Sequence, residues 1–160
     1  MKDDSSRARN YIYWLISKQS RTRKEIIDKL KRKEYNNDII TLLIEEAEEN
    51  GLIDDKRYAF AYASDRMNFY KSGRNLIKMK LLQKGVDKEL IEKALEYTFR
   101  NVDEYKQALD IAKKRARSYK KLDEKVIARR LTSYIVRRGF SFDTALRVTK
   151  AIVKDVRYEE

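Results

Sequence analysis

The densest chemistry in this chain is cationic. Lys113, Lys114, Arg115, Arg117, Lys120 and Lys121 fall in a stretch with no acid at all, and Arg129, Arg130, Arg137 and Arg138 follow. Rows of such side chains neutralise phosphates by displacing counterions, so binding weakens with salt by about 0.7 in log K per phosphate on single strands. Lys113, Arg117 and Lys121 stand four apart and Arg130 and Arg137 seven apart, so on helices each set shares a face. The plain alternative is a solvated surface, with Asp110 and Glu124 interspersed. The acid-free run favours an anionic partner instead. Arg21, Arg23, Lys24, Arg74, Lys78 and Lys80 would carry the stripe onto earlier parts of the chain.

Other chemistries have fewer actors. The chain has no His and no Cys, which excludes imidazole base catalysis, thiol chemistry, disulfides and Cys/His zinc sites. Asp54-Asp55 could be an acid/base or metal couple, but no third ligand is placed by sequence, and adjacent acids are common at helix starts. They are expected to be caps, and no metal is expected. No phosphate-cradling glycine loop is present, so no cofactor is implied. Eleven tyrosines and one tryptophan could stack bases. However, Tyr11, Trp14 and Leu15, and likewise Tyr58, Ala59, Tyr62 and Ala63, recur at the spacing of core stripes. Tyr119, beside Lys120 and Lys121, is the stacking candidate that remains. The acidic run Glu45, Glu46, Glu48 and Glu49 solvates a helix, and DNA would repel it.

These residues must be positioned by helices. Without Pro and with only four Gly, nothing breaks the chain often, and Ala, Leu, Glu, Lys and Arg are good helix formers. Capping residues place nine helices: Arg7 to Gln19, one after Thr22 with Glu25 in capping-box position, and Asp38 to Glu49 after Asn36 or Asn37. Lys56 to Tyr70, Arg74 to Lys84 and Asp87 to Arg100 follow. Asp103, Asp123 and Ser141 open the last three, to about Lys120, Arg138 and Lys154. Sliding the sequence by 51 sets Arg23 on Arg74, Ile26 on Ile77, Leu30 on Leu81 and Ile40 on Ile91; sliding by a further 54 sets Leu81 on Ile135, Gly85 on Gly139 and Val86 on Phe140. The fold is therefore expected to be all-α: three tandem three-helix, helix-turn-helix-like repeats (1–51, 52–101 and 102–160) in an elongated, curved array. Gly85 and Gly139 should take left-handed C-cap positions. Glu34 stands there in the first repeat, whose turn should be looser.

The net charge of +12 on 160 residues is unequally divided: 11 basic and 10 acidic side chains in the first repeat, 11 and 7 in the second, 16 and 9 in the third. The positive surface thus grows toward the C-terminus. The longest apolar run, Tyr11 to Ile16, is too short for a membrane span and the N-terminus is acidic, so a cytoplasmic protein without signal peptide is expected.

Ser20-Arg21-Thr22-Arg23-Lys24-Glu25-Ile26, Asn50-Gly51-Leu52-Ile53-Asp54-Asp55-Lys56-Arg57-Tyr58-Ala59, Lys84-Gly85-Val86 and Arg137-Arg138-Gly139-Phe140-Ser141 resemble the signature segments of the RecX family of recombination regulators. The order and spacing match over nearly the whole chain, and Gly-Leu-Ile-Asp-Asp is the most specific segment. The resemblance implies a non-enzymatic protein that binds the RecA recombinase and its filaments on single-stranded DNA. It further implies modulation, usually inhibition, of filament assembly, ATP hydrolysis and strand exchange in DNA repair, homologous recombination and the SOS response. The partners implied are RecA and single-stranded DNA; duplex DNA is a secondary expectation, and the chain is expected to be a monomer. The rival is a stand-alone DNA-binding protein whose units use the last helix to read a major groove. Acids at Asp38, Asp87, Glu89 and Asp143 stand against it, because they would meet phosphate at that edge.

Overall fold

The structure, a computed structural model, describes residues 2–119 and 121–158. Among them are nine α-helices and no strand: α1 (Lys2–Lys18), α2 (Arg23–Arg32), α3 (Asn37–Glu49), α4 (Asp55–Asn68), α5 (Arg74–Gln83), α6 (Lys88–Phe99), α7 (Glu104–Ala116), α8 (Glu124–Arg137) and α9 (Phe142–Tyr158), with a 3-10 turn at Arg117–Tyr119. Contacts gather the chain into two compact units, Met1–Tyr62 with Lys80–Ala94 and Ala63–Met79 with Leu95–Glu160, so α4, α5 and α6 each give residues to both. No helix among the described residues is long and apolar enough to cross a membrane.

The helix starts follow the side chains that cap them. Thr22 accepts from the Glu25 N–H while the Glu25 carboxylate accepts from the Thr22 N–H, a complete capping box. Asn36, Asp103 and Asp123 cap α3, α7 and α8. Asp54 accepts from Arg57 N–H at 2.9 Å at the start of α4. Its neighbour Asp55 reaches instead to α2, accepting from Arg23 N–H at 2.8 Å, so the acidic pair closes two helix ends at once. Three helix ends move by four or five residues from their expected places, one of them the end of α9, which runs on to Tyr158. α1 begins at Lys2, with Asp3 and Asp4 in its first turn, where acids suit the helix dipole. α7 stops at Ala116: Ser118 Oγ donates to the Arg115 carbonyl at 2.7 Å, taking the acceptor an α-helical N–H would use.

At the far ends of α5 and α8, Gly85 and Gly139 have φ of 77° and 98°. Val86 N–H reaches Leu81 O at 3.1 Å and Phe140 N–H reaches Ile135 O at 3.4 Å, the six-to-one bond of a Schellman turn. The first repeat does not have the looser turn expected of it. Glu34 adopts φ of 60° and Tyr35 N–H still reaches Leu30 O at 3.3 Å. The hydrogen bonds hold the same turn, and the residue bears the left-handed strain.

These turns also join elements. Thr22 Oγ1 donates to Lys84 O at 2.6 Å, and Lys84 Nζ pairs with Glu25 at 2.8 Å. In the other unit Gly73 N–H donates to Arg138 O at 2.7 Å and Asn75 N–H to Gly139 O at 2.9 Å. Thr22 and Gly73, and Lys84 and Arg138, are the positions that the two slides superpose, so one joint is made twice.

The first three helices close over Ala8, Ile12, Leu15, Ile26, Leu30 and Ile44. The last three close over Ala112, Leu131, Ile135, Phe140, Ala145 and Val148. Trp14, expected in the first core, is 54% exposed. The buried stripe of α1 runs through Ala8, Ile12 and Leu15 instead, with Tyr11 at its edge and stacked on Trp14.

Candidate nucleic-acid interface

The basic residues of α7, the 3-10 turn and α8 meet in one compact unit. Ile127, Leu131 and Ile135 turn the apolar side of α8 into the core, which leaves Arg130, Ser133 and Arg137, at spacings of three and four, on its outer side. Together with Arg129, and with Arg115 and Tyr119 from the preceding segment, they line an open cleft of about 360 Å³, to which no carboxylate among the described residues contributes. The guanidinium of Arg115 is held in place: Nε donates to Tyr119 Oη at 3.0 Å, and its carbon lies 5.4 Å from the ring centres of both Tyr119 and Tyr134. Stacked this way, an arginine keeps its two terminal nitrogens for a fork on an oxyanion. Arg138 flanks the same ring, donating to Tyr134 Oη at 3.1 Å and also to the Tyr70 carbonyl.

The expected row Lys113, Arg117, Lys121 is not one helix face, because α7 ends between its members. Its adjacent pairs are nevertheless brought together. Lys113, Lys114 and Arg117 line one hollow, and Arg117, Lys121 and Arg130 line the next. Lys120 lies outside the described residues. Tyr119, the expected stacking platform, is only 7% exposed. Its ring belongs to the core and its hydroxyl to Arg115, so no base can lie on it.

The earlier basic residues stand elsewhere and are mostly engaged. Arg23 pairs with Glu48 at 3.0 Å. Arg74 reaches Glu104 at 3.5 Å and packs over the Phe99 ring at 4.9 Å. Lys24 pairs with Asp28 at 2.6 Å, its chain lying where a Cβ on Gly85 would be. Arg21 is half-buried, and its Nε is buried without a hydrogen-bond partner. The starts of α2 and α5 thus hold Arg23 and Arg74 against acids of the fold, which spacing alone did not reveal. Two residues that the sequence did not single out join the site: Ser133, on the Arg130–Arg137 line, and Tyr134, the ring between two arginines. Among the described residues no group of acids could hold a metal ion.

Consecutive three-helix sets with a basic cleft on the third define a tandem three-helix-repeat protein. Sequence models of the first, second and third three-helix domains of RecX match residues 8–46, 54–95 and 102–149. The chain belongs to the RecX family of regulatory proteins. It is 36% identical to a regulatory protein RecX of Streptococcus uberis, over 86% of this chain and 52% of that one. It is 34% identical to that of Clostridium acetobutylicum, over 91% and 72%. The chain thus spans about half the length of the streptococcal relative. The crystal structure of RecX from Lactobacillus salivarius superposes with a TM-score of 0.77 at 28% identity, covering 99% of each chain. A second crystal structure of a regulatory protein RecX gives 0.81 at 25% identity, covering 96% of this chain and 74% of that one.

Proposed function

We propose that this chain regulates recombination by binding RecA and RecA filaments on single-stranded DNA, inhibiting filament assembly, ATP hydrolysis and strand exchange, with the arginine cleft of the third repeat taking backbone phosphates. The observation that carries the DNA contact is the cleft itself. Arg115, Arg129, Arg130 and Arg137 converge on it, with no carboxylate among the described residues lining it, and one of the four is fixed by two tyrosines. A guanidinium held in place beside three further arginines suits phosphate, which it can take as a fork. The family supports the regulatory role, and the +7 excess of the third repeat supports an anionic partner.

The rival reading, a groove-reading DNA protein, needs the last helix of each unit to lead with base-reading side chains. The first turns of α3, α6 and α9 carry Asp38, Glu89 and Asp143 instead. One experiment separates the two. Affinity is measured on RecA-coated and on bare single strands, together with RecA-dependent ATP hydrolysis, for the natural chain and for Arg129→Glu/Arg130→Glu/Arg137→Glu. The regulator should prefer coated strands and slow hydrolysis at stoichiometric amounts, and the triple variant should lose affinity for both strands. Equal affinity on coated and bare strands with hydrolysis untouched would sink the regulator reading.

A further inference from the structure

Next to the arginine cleft lies a hollow of different character. It is an open space of about 570 Å³, within the range of small-molecule sites, and it is made by one side of α7 and the residues just before it together with the end of α4. Its apolar lining is Met67, Val102 and Ile111. Its cations are Lys71, Lys106, Lys113, Lys114 and Arg117, all of them exposed. Two carboxylates also line it, Asp103 and Asp110, and the first has an oxygen engaged as the cap of α7, accepting from Lys106 N–H at 3.0 Å. Gln107 Nε2 donates to the Met67 carbonyl at 3.1 Å and so ties the two walls together.

The hollow does not stand alone. Arg117 lines both it and the next one, which holds Lys121 and Arg130, and Tyr119 with Arg130 then lines both that and the arginine cleft. A polyanion in the arginine cleft therefore has a cationic path past Arg130 and Arg117 to a place where the half-buried Met67 and Val102 line an open space. A phosphodiester backbone has no use for such a lining, whereas an unpaired base does: it loses water against apolar surface, and a methionine sulfur beside an aromatic ring adds to this.

We infer that this hollow receives an unstacked base of a single strand whose phosphates follow the arginines. This assignment rests on the arginine-cleft reading and adds to it a choice of strand. A paired base cannot leave its stack without losing its pairing, so the site selects single strands over duplex. It also moves base contact from Tyr119, where the sequence placed it, to Met67 and Val102.

The test uses the full chain at moderate salt with three ligands of equal length: an ordinary single strand, a strand of abasic units, and a duplex. The natural chain should bind the ordinary strand roughly tenfold more tightly than the abasic one, the scale of one base contact, and more tightly than the duplex. Met67→Glu should abolish the difference between ordinary and abasic strands, while Met67→Leu should keep it; circular-dichroism melting of both variants verifies folding. A free mononucleotide at the same nucleotide concentration should not compete. Equal binding of ordinary and abasic strands by the natural chain would overturn the base pocket, as would equal competition by the mononucleotide. If Arg130→Glu/Arg137→Glu weakens binding while abasic and ordinary strands bind alike, the pocket fails and the arginine cleft stands. If that double variant changes nothing, the cleft fails as well.

Discussion

Glu34 holds a left-handed backbone at φ of 60° where the other two repeats have glycine. Its turn keeps the same six-to-one bond, so the strain sits in one residue and can be removed by one substitution. Glu34→Gly should raise stability by about 0.5–1 kcal/mol after the extra backbone entropy of glycine is deducted. Thermal unfolding should show it as an increase of roughly 1–4 °C. Asp55 makes a second residue-scale case. Burial pushes its carboxyl above the usual range, with Glu48 and Asp54 adding to this and Arg23 opposing it. A carboxyl raised on folding contributes stability below its unfolded pKa of about 4 and loses it as pH rises through the folded value. Asp55→Asn keeps an acceptor for the Arg23 N–H without the buried charge. It should match the natural chain near pH 3 and gain on it by pH 7; urea midpoints at the two pH values measure this, and a gap that shrinks with pH would refute it. What sequence could not tell about single residues is phase. Tyr11, Trp14 and Leu15 fit a helical stripe as well as Ala8, Ile12 and Leu15 do, and the large aromatic residues outweighed the alanine that is in fact buried. Tyr119 misled for a related reason, since neighbouring lysines say nothing of which way a ring turns.

At the scale of elements, the caps were legible because their chemistry is local. Thr22, Asn36, Asp103 and Asp123 each satisfy N–H groups two or three residues on. The end of α7 was not legible, because good helix formers continue through Arg117; the break comes from a serine hydroxyl and a tyrosine ring that goes into the core. The second role of Thr22, its bond to Lys84 O, was equally hidden, since it joins elements 62 residues apart. Fully buried, this hydroxyl both caps α2 and satisfies a helix-terminal carbonyl. Thr22→Ala should therefore cost about 2–3 kcal/mol, more than a cap alone, whereas Thr22→Ser should restore most of it. Denaturant unfolding of the two variants decides; equal losses would mean that the methyl group, not the hydroxyl, matters.

Across the whole molecule, charge is graded from +1 to +7 over the repeats, and the engaged arginines at the helix starts sharpen that grade further. If DNA follows the third repeat, Arg129→Glu/Arg130→Glu/Arg137→Glu should flatten the dependence of log K on log salt by about 2, at 0.7 per phosphate. Lys18→Glu/Lys31→Glu/Arg32→Glu, an equal charge change on exposed sites of the first repeat, should leave the slope alone. A similar flattening from both would assign binding to net charge and not to the cleft. The tandem repeat and its charge grade were readable from the register of the sequence, but the cleft was not, because it depends on α7 ending where it does. A further consequence lies in the joint where Gly73 meets Gly139. A Cβ on Gly139 would come within 2.5 Å of the Leu76 Cβ, and one on Gly73 within 2.4 Å of the Gly139 backbone. The separation of α5 and α8 at that point is thus fixed by main chain touching main chain, as a hinge pin fixes two plates. Side chains around it can drift during evolution without changing the gauge, so long as these two positions carry nothing at all.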